Sequence, residues 1–399
     1  MHRRWQALFF HAATVAVFVG LAASVRADDA LPGFDMKQYE RQRVLTAADE
    51  YLTEEPITIT AYPAARSAGG PHDYYSEADY DWPDPKNPNG PYIGRDGYSN
   101  PDNFVAHRAA LIRMSVQVPA LTAAYLITGD EKYARKAVEH LHAWFVDPKT
   151  LMNPSLLYSQ AIRNKFTGRS IGIIDTLHLV EVARSIDLLR QRHLLGDDEA
   201  PVIQWFTDYE KWMRTHPYGI TEGKAKNNHA TCYWLQIAEF ATLTGNQDDL
   251  IECRKRFKQQ LLPQMAADGS FPEELRRTKP YCYSLFNLDQ MVMLCKIIST
   301  PEDDLWHYTL PNGATLHTGL EFMYPYVVDK SKWPPNPKVH APDVMWWQYW
   351  PVRSCAWLYG GIEYNEPKYI DLWKSLDANP TVEEVLRNLP IRQPVIWLN

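Results

Sequence analysis

Four stretches of the chain repeat one plan of apolar and polar positions. "VPALTAAYLITGDEKYARKAVEHLHAWF" (118–145) reads as an apolar helix, a Thr-Gly-Asp break and a second helix with Tyr133, Ala137, Leu141 and Trp144 on one stripe. "LQIAEFATLTGNQDDLIECRKRF" repeats it with Gly245 in the place of Gly129, and the apolar run extends back to Asn228. "TLHLVEVARSIDLLRQRHLLGDDEAPVIQWFTDYEKWM" and "AWLYGGIEYNEPKYIDLWKSL" are the third and fourth copies. In each, glycine suits the end of a helix, and the Asp, Asn or Glu that follows suits the next N-cap. Helical hairpins of this kind bury their stripes only by stacking on neighbours, so the pattern predicts an all-α fold: an incomplete (α/α) toroid or barrel. An irregular helical bundle is the alternative.

The pattern fails over "GGPHDYYSEADYDWPDPKNPNGPYIGRDGYSNPDNF" (69–104), whose Gly and Pro exclude any long helix. Loops this long in a compact domain are functional or disordered, and the aromatic residues here argue for order. The segment is expected to form a lid or wall over a cleft. "DKSKWPPNPKVHAPDVMWWQYWP" (329–351) is a second such stretch, placed to face it.

The first 27 residues differ again: a basic start, the run "ALFFHAATVAVFVGLAAS", then Val25 and Ala27 at small-residue cleavage positions. This is the form of an export signal, giving a domain organisation of 1–27 signal and 28–399 a single toroid domain. No later run reaches the roughly 18 uninterrupted apolar residues of a spanning helix. A soluble periplasmic or secreted protein is expected, without a membrane partner once the signal is gone. Losing Arg3, Arg4 and Arg26 takes the formal net charge from −7 to −10. That sign argues against nucleic acid, while a local basic cleft for an anionic substrate stays possible. Five cysteines without C-x-x-C spacing disfavour a zinc site. Export permits one or two disulfides and leaves at least one thiol over.

Chemistry enters with "GKAKNNHATCYWLQIAEF" (223–240), which places Asn227, Asn228 and His229 at the mouth of an apolar helix. Asn228 there reads as a helix cap or as a functional amide. A second polar cluster, "DGSFPEELRRTKPYCYSLFNLDQM" (268–291), brings Glu273, Glu274, Arg276, Arg277, Tyr281 and Tyr283 ahead of a helix beginning near Leu285. On one continuous helix Arg277 and Tyr283 would diverge by about 240°. They converge only if the chain breaks between them, and Pro280 supplies a break.

"NNH" followed by "YW", then "DG-x-x-P-x-EL" with arginines and a tyrosine, resembles the alginate lyase superfamily of α/α-toroid polysaccharide lyases. The stretch from "DYYSEADYDWPDPKNPNGPYI" through "TGRSIGIIDTLHLVEV" to "EELRRTKPYCYSLFNL" looks like its branch acting on mannuronate or glucuronate polymers. The resemblance implies a lyase without an obligatory metal or cofactor, with Asn228, His229, Arg277 and Tyr283 as catalytic residues. Two departures, "ATC" between NNH and YW and a shorter arginine-to-tyrosine spacing, leave Arg276 and Tyr281 as alternatives to Arg277 and Tyr283.

These residue types suit β-elimination of a uronate. A proton beside a carboxylate is barely acidic, because its loss leaves a dianion, so Asn228 and Arg277 would first neutralise the carboxylate; one preorganised donor of this kind contributes about 3 to 4 kcal/mol. A base then removes the C5 proton and the C4 oxygen leaves. In mannuronate and glucuronate the two lie on one side, and a single tyrosine, its phenolate favoured by an adjacent arginine, could serve both. In guluronate they lie on opposite faces, which suits His229 as base and Tyr283 as acid. Arg169 is a candidate second carboxylate clamp and His178 a candidate cleft residue. Tyr75, Trp82 and Tyr92 could stack on sugar rings. His140 and His142, two apart on a helix, diverge and are read as structural. A hydrolase would need two carboxylic acids about 5 to 10 Å apart, for which Glu273, Glu274, Asp175 and Asp73 are available. A non-catalytic exopolysaccharide-binding protein is the other alternative. Nothing in the sequence sets an oligomeric state.

Overall fold

The computed structural model describes residues 34–398; the export signal expected at 1–27 lies outside them. The helices are α1 (Met36–Tyr51), α2 (Ala106–Thr128), α3 (Glu131–Phe145), α4 (Leu179–Arg190), α5 (Glu199–Thr215), α6 (Pro217–Glu222), α7 (Asn228–Thr244), α8 (Gln247–Arg256), α9 (Pro272–Leu275), α10 (Pro280–Ile298), α11 (Leu316–Val328), α12 (Cys355–Glu363), α13 (Pro367–Ser375) and α14 (Glu383–Arg387). Their packing follows from where the apolar residues lie. Helices α2, α4, α7, α10 and α12 are buried nearly all round and pack side by side as an inner ring, while α3, α5, α8 and α13 bury only one stripe and lean on its outside. The fold is the all-α toroid that the hairpin pattern predicts. Helix α2 is long and apolar enough to cross a membrane, but it is a core helix, mostly buried.

Two hairpins keep the predicted glycine break. Gly129 (φ 73°) and Gly245 (φ 78°) are left-handed, and Asp130 and Asn246 cap the next helices. The other two differ. Helix α4 ends at Arg190, with His193 rather than Gly196 making the first left-handed turn. Gly360 and Gly361 lie inside α12, where added Cβ atoms would press to 2.6 Å from Leu320 and 2.5 Å from Ile370; Asn365 makes that turn instead. Neither Asp198 nor Glu366 caps through its side chain.

The ring is closed by the chain's two ends. On α1, Glu40 takes Arg353 at 2.9 Å and Tyr39 meets the ring of Trp373 on α13. Residues 394–397 tuck against α1, α2 and α4, with Gln393 N and Trp397 Nε1 donating to Glu181. All five cysteines are free and buried, so none of the permitted disulfides forms.

The 69–104 segment is non-helical and ordered, as expected. Its strand β1 (Tyr75–Glu77) pairs in parallel with β4 (Tyr158–Ala161), and β2 (Asp81–Trp82) pairs antiparallel with β3 (Ile93–Gly94). The 329–351 segment meets it where Val344 N donates to Thr278 O, beside Gly97.

Candidate active site

One end of the inner ring opens into a cleft of about 360 Å³. The first turns of α7 and α10 face it, so the positive ends of two helices point at whatever fills it. Asn228, the first residue of α7, is buried, and Glu274 on α9 holds it twice, accepting from the backbone N at 2.7 Å and from Nδ2 at 2.8 Å. The cap proper is Asn227, which makes no side-chain cap bond. Burial raises the Glu274 carboxyl against the opposing pull of these bonds. His229 lies in the same turn. Its Nδ1 is 2.5 Å from Oε1 of buried Glu222, at the end of α6, and Nε2 has no protein partner among the described residues. In the tautomer whose Nδ1–H donates to Glu222, His229 presents an open lone pair at Nε2.

Arg277 and Tyr283 meet through the break at Pro280, which is the first residue of α10 rather than a residue ahead of it. The Arg277 guanidinium stands 4.5 Å from the Tyr283 ring centre, and Asp96 grips it through Nε and Nη2, the latter at 2.6 Å. Nη1 keeps no protein partner among the described residues. Although burial opposes it, Arg277 holds Asp96 below the usual carboxylate range. Tyr283 is enclosed, and burial together with the neighbouring Tyr80 phenol pushes its hydroxyl well up despite Arg277. The expected effect of the arginine on the phenolate is therefore overridden: unliganded Tyr283 is a neutral phenol.

The paired alternatives separate cleanly. Arg276 is exposed and pairs with Glu273 at 2.6 Å. Tyr281 points away, donating to Tyr326 O between Trp333 and Trp347. Arg169 is in the cleft, with Nε on Gln160 O at 2.8 Å and Nη2 4.0 Å from Asp81; burial lowers its affinity for the proton.

Other candidates lie elsewhere. Tyr75 is 3% exposed, packed on Phe104 and donating to Glu77, so it cannot stack on a sugar in the cleft. Trp82 flanks the cleft without lining it, its Nε1 on Tyr98 O and the Arg95 guanidinium across its ring. Tyr92 is held by Arg163. His178 is fully enclosed behind the wall, Nε2 on Arg387 O, and burial keeps its ring neutral. His140 is buried and lowered to about 4 by burial, while His142 pairs with Asp198. None of the four carboxylates considered for hydrolysis lines the cleft. Glu274 supports Asn228, Glu273 is exposed, Asp175 accepts from Tyr74, Ser76 and Gln160, and Asp73 from Gly70 and Asn153.

Several cleft residues gave no warning in the sequence. Tyr80, Asp81, Arg95 and Asp96 come from the first loop, Gln160 from β4 in a left-handed conformation (φ 47°), and Arg387 from α14. Beneath them Asp79 takes Arg108 at 2.6 Å and Arg387 at 3.2 Å, which hold it down to about 2 against the effect of burial.

The family model described as Alginate lyase matches residues 58–333. The crystal structure of an alginate lyase from Bacteroides ovatus is 31% identical, covering 94% of this chain and 99% of its own, with a TM-score of 0.79. Alginate lyase A1-III, from Sphingomonas species A1, is similar at 13% identity and a TM-score of 0.53 in a histidine-to-alanine and a tyrosine-to-phenylalanine variant, both complexed with tetrasaccharide. These cover 88% and 90% of this chain, and 93% of their own. No protein with curated function matches the chain in sequence. The fold is that of an α/α-toroid polysaccharide lyase. The chain belongs to the alginate lyase family.

Proposed function

We propose that this lyase is exported and cuts a polyuronate, alginate or polymannuronate or a glucuronan, by β-elimination across C4 and C5. The observation that carries the reading is the meeting of Asn228, His229, Arg277 and Tyr283, from two chain segments, around one cleft. Asn228 keeps one Nδ2 proton beyond its bond to Glu274, and Arg277 keeps Nη1 beyond its bonds to Asp96. Both donate to the substrate carboxylate and strengthen as charge builds there. Arg169 and Arg95 make the cleft locally basic in an acidic protein, which suits an anionic chain.

His229, oriented by Glu222, is the base for linkages whose C5 proton and C4 oxygen lie on opposite faces, with Tyr283 as acid. For same-side linkages the C5 proton goes to Tyr283. Elimination leaves a conjugated C4–C5 double bond on the new end. Incubation with polymannuronate, alginate and glucuronan should shorten at least one of them with a rise in ultraviolet absorbance. Shortening without that chromophore, or with solvent oxygen-18 in the new reducing end, would replace elimination by hydrolysis.

A further inference from the structure

The turn that presents Tyr283 lacks a local cap. Helix α10 opens with Lys279 at the N-cap position, which makes no side-chain cap bond, and with Pro280, which has no N–H. The next two N–H groups, of buried Tyr281 and Cys282, are those that a local Ser, Thr, Asp or Asn would satisfy. Asp343, in the 329–351 segment, takes both instead: Oδ1 accepts from Tyr281 N and Oδ2 from Cys282 N, each at 3.0 Å. Its carboxyl is buried at the positive end of the helix, where negative charge is stabilised. The same segment holds the chain just ahead of the helix. Asn336 Nδ2 donates to Arg277 O at 2.7 Å, Lys338 Nζ to Arg276 O, and Val344 N to Thr278 O at 3.1 Å. Residues 276–282, which include Arg277 and lead into Tyr283, are thus gripped at five backbone atoms from 336–344.

We propose that Asp343 is a positioning residue for the elimination: as the cap that a distant segment supplies to α10, it fixes the first turn of that helix and so sets the Tyr283 hydroxyl against the C5 proton. The proposal rests on the elimination reading above. An ionised carboxyl accepts strongly from both N–H groups, one on each oxygen, and a proton on either oxygen weakens the pair. Burial raises Asp343 to about 7 against the pull of the two N–H bonds and of Lys279. The charged and titratable groups facing it are the Lys279 ammonium, the Cys282 thiol and the Tyr281 phenol. Although burial opposes it, Tyr80 and Glu384 raise Lys279, while burial raises the thiol and the phenol, so none of the three changes charge near neutral pH. The hold on Tyr283 therefore tightens as pH rises through about 7 and loosens as it falls.

The test follows kcat for double-bond formation on polymannuronate or glucuronan, the same-side substrates, from about pH 5 to about pH 8, the window that spans the Asp343 ionisation. Asp343→Asn keeps the shape of the side chain and gives up one acceptor. At the alkaline end it should lower kcat by about 10- to 100-fold, the scale of a misplaced reacting group, with KM little changed. The gap between native and variant should narrow as pH falls through about 7. A role in stability alone would lower the melting temperature and leave kcat per folded enzyme as it was. That result, or a gap that stays constant with pH, overturns the positioning role. Where Asp343→Asn fails to fold, the native profile decides, and a kcat that is flat across the window overturns the role. Native enzyme that forms the chromophore beside an equally active Asp343→Asn removes this role and keeps the lyase reading. Native enzyme that shortens the polymer without the chromophore removes both.

Discussion

Glu222 does not itself line the cleft, yet it fixes which nitrogen of His229 faces the substrate. Glu222→Gln removes the charge that steadies the imidazolium and loosens that orientation. By the logic of a base oriented by a third group, kcat on opposite-face linkages should fall about 10²-fold with the melting temperature little changed. An unaffected kcat would take Glu222 out of the site. The adjacent arginines offer a sharper contrast. Arg277→Ala should lose about 10²-fold or more in rate, whereas Arg276→Ala, which frees only the exposed Glu273, should stay within about twofold. The sequence carried both arginines in a suitable place but no sign of which one turned inward. What decides it is Asp96, 181 residues away, whose carboxylate reaches Arg277 and not Arg276. Tyr80 and Glu222 were unreadable for the same reason: each is defined by a partner supplied through the fold.

Among the elements, helices α7 and α9 depend on each other. Glu274 satisfies two buried donors at the start of α7, so Glu274→Ala leaves both without an acceptor, at about 1 to 3 kcal/mol each. Thermal denaturation should show a drop of that order. Glu273→Ala, one residue earlier and exposed, should shift stability by no more than about 0.5 kcal/mol. Hairpins built on left-handed glycine were legible, since Gly129 and Gly245 each precede a capping Asp or Asn. The third and fourth were only half legible, because non-glycine residues, His193 and Asn365, make the left-handed turns and the glycines of α12 are required by close helix packing. The aromatics of the first loop were misread for a related reason: Tyr75 is on β1, and pairing with β4 turns its ring inward against Phe104.

At the scale of the whole ring, the all-α toroid was readable because stacking is the way repeated hairpins bury their stripes. Closure was not, since Glu40 to Arg353 and Glu181 to Trp397 join residues more than 200 positions apart. Trp397→Ala should cost about 3 to 5 kcal/mol, read as a lowered denaturation midpoint. The ring also buries a carboxyl between α4 and α7: burial raises Glu239 to about 7 although Arg184 pulls the other way. Between an unfolded value near 4.5 and about 7 the folded chain keeps a proton that the unfolded chain has released. Its contribution to stability is therefore whole below about pH 4.5 and declines as pH rises to about 7. Glu239→Gln should flatten that decline in melting temperature, and an equally steep decline in the variant would assign it to other groups.

Arg387 reaches the cleft from the last helix, while Asp79 and Tyr80 reach it from the first long loop. A polypeptide still being made therefore has the first-loop wall and the four central side chains in hand before it has the wall that the last helix supplies. Until residues 394–397 have joined α1, α2 and α4, the wall that carries Arg387 is not anchored, so the onset of cutting should follow the completion of folding and not the appearance of the motif.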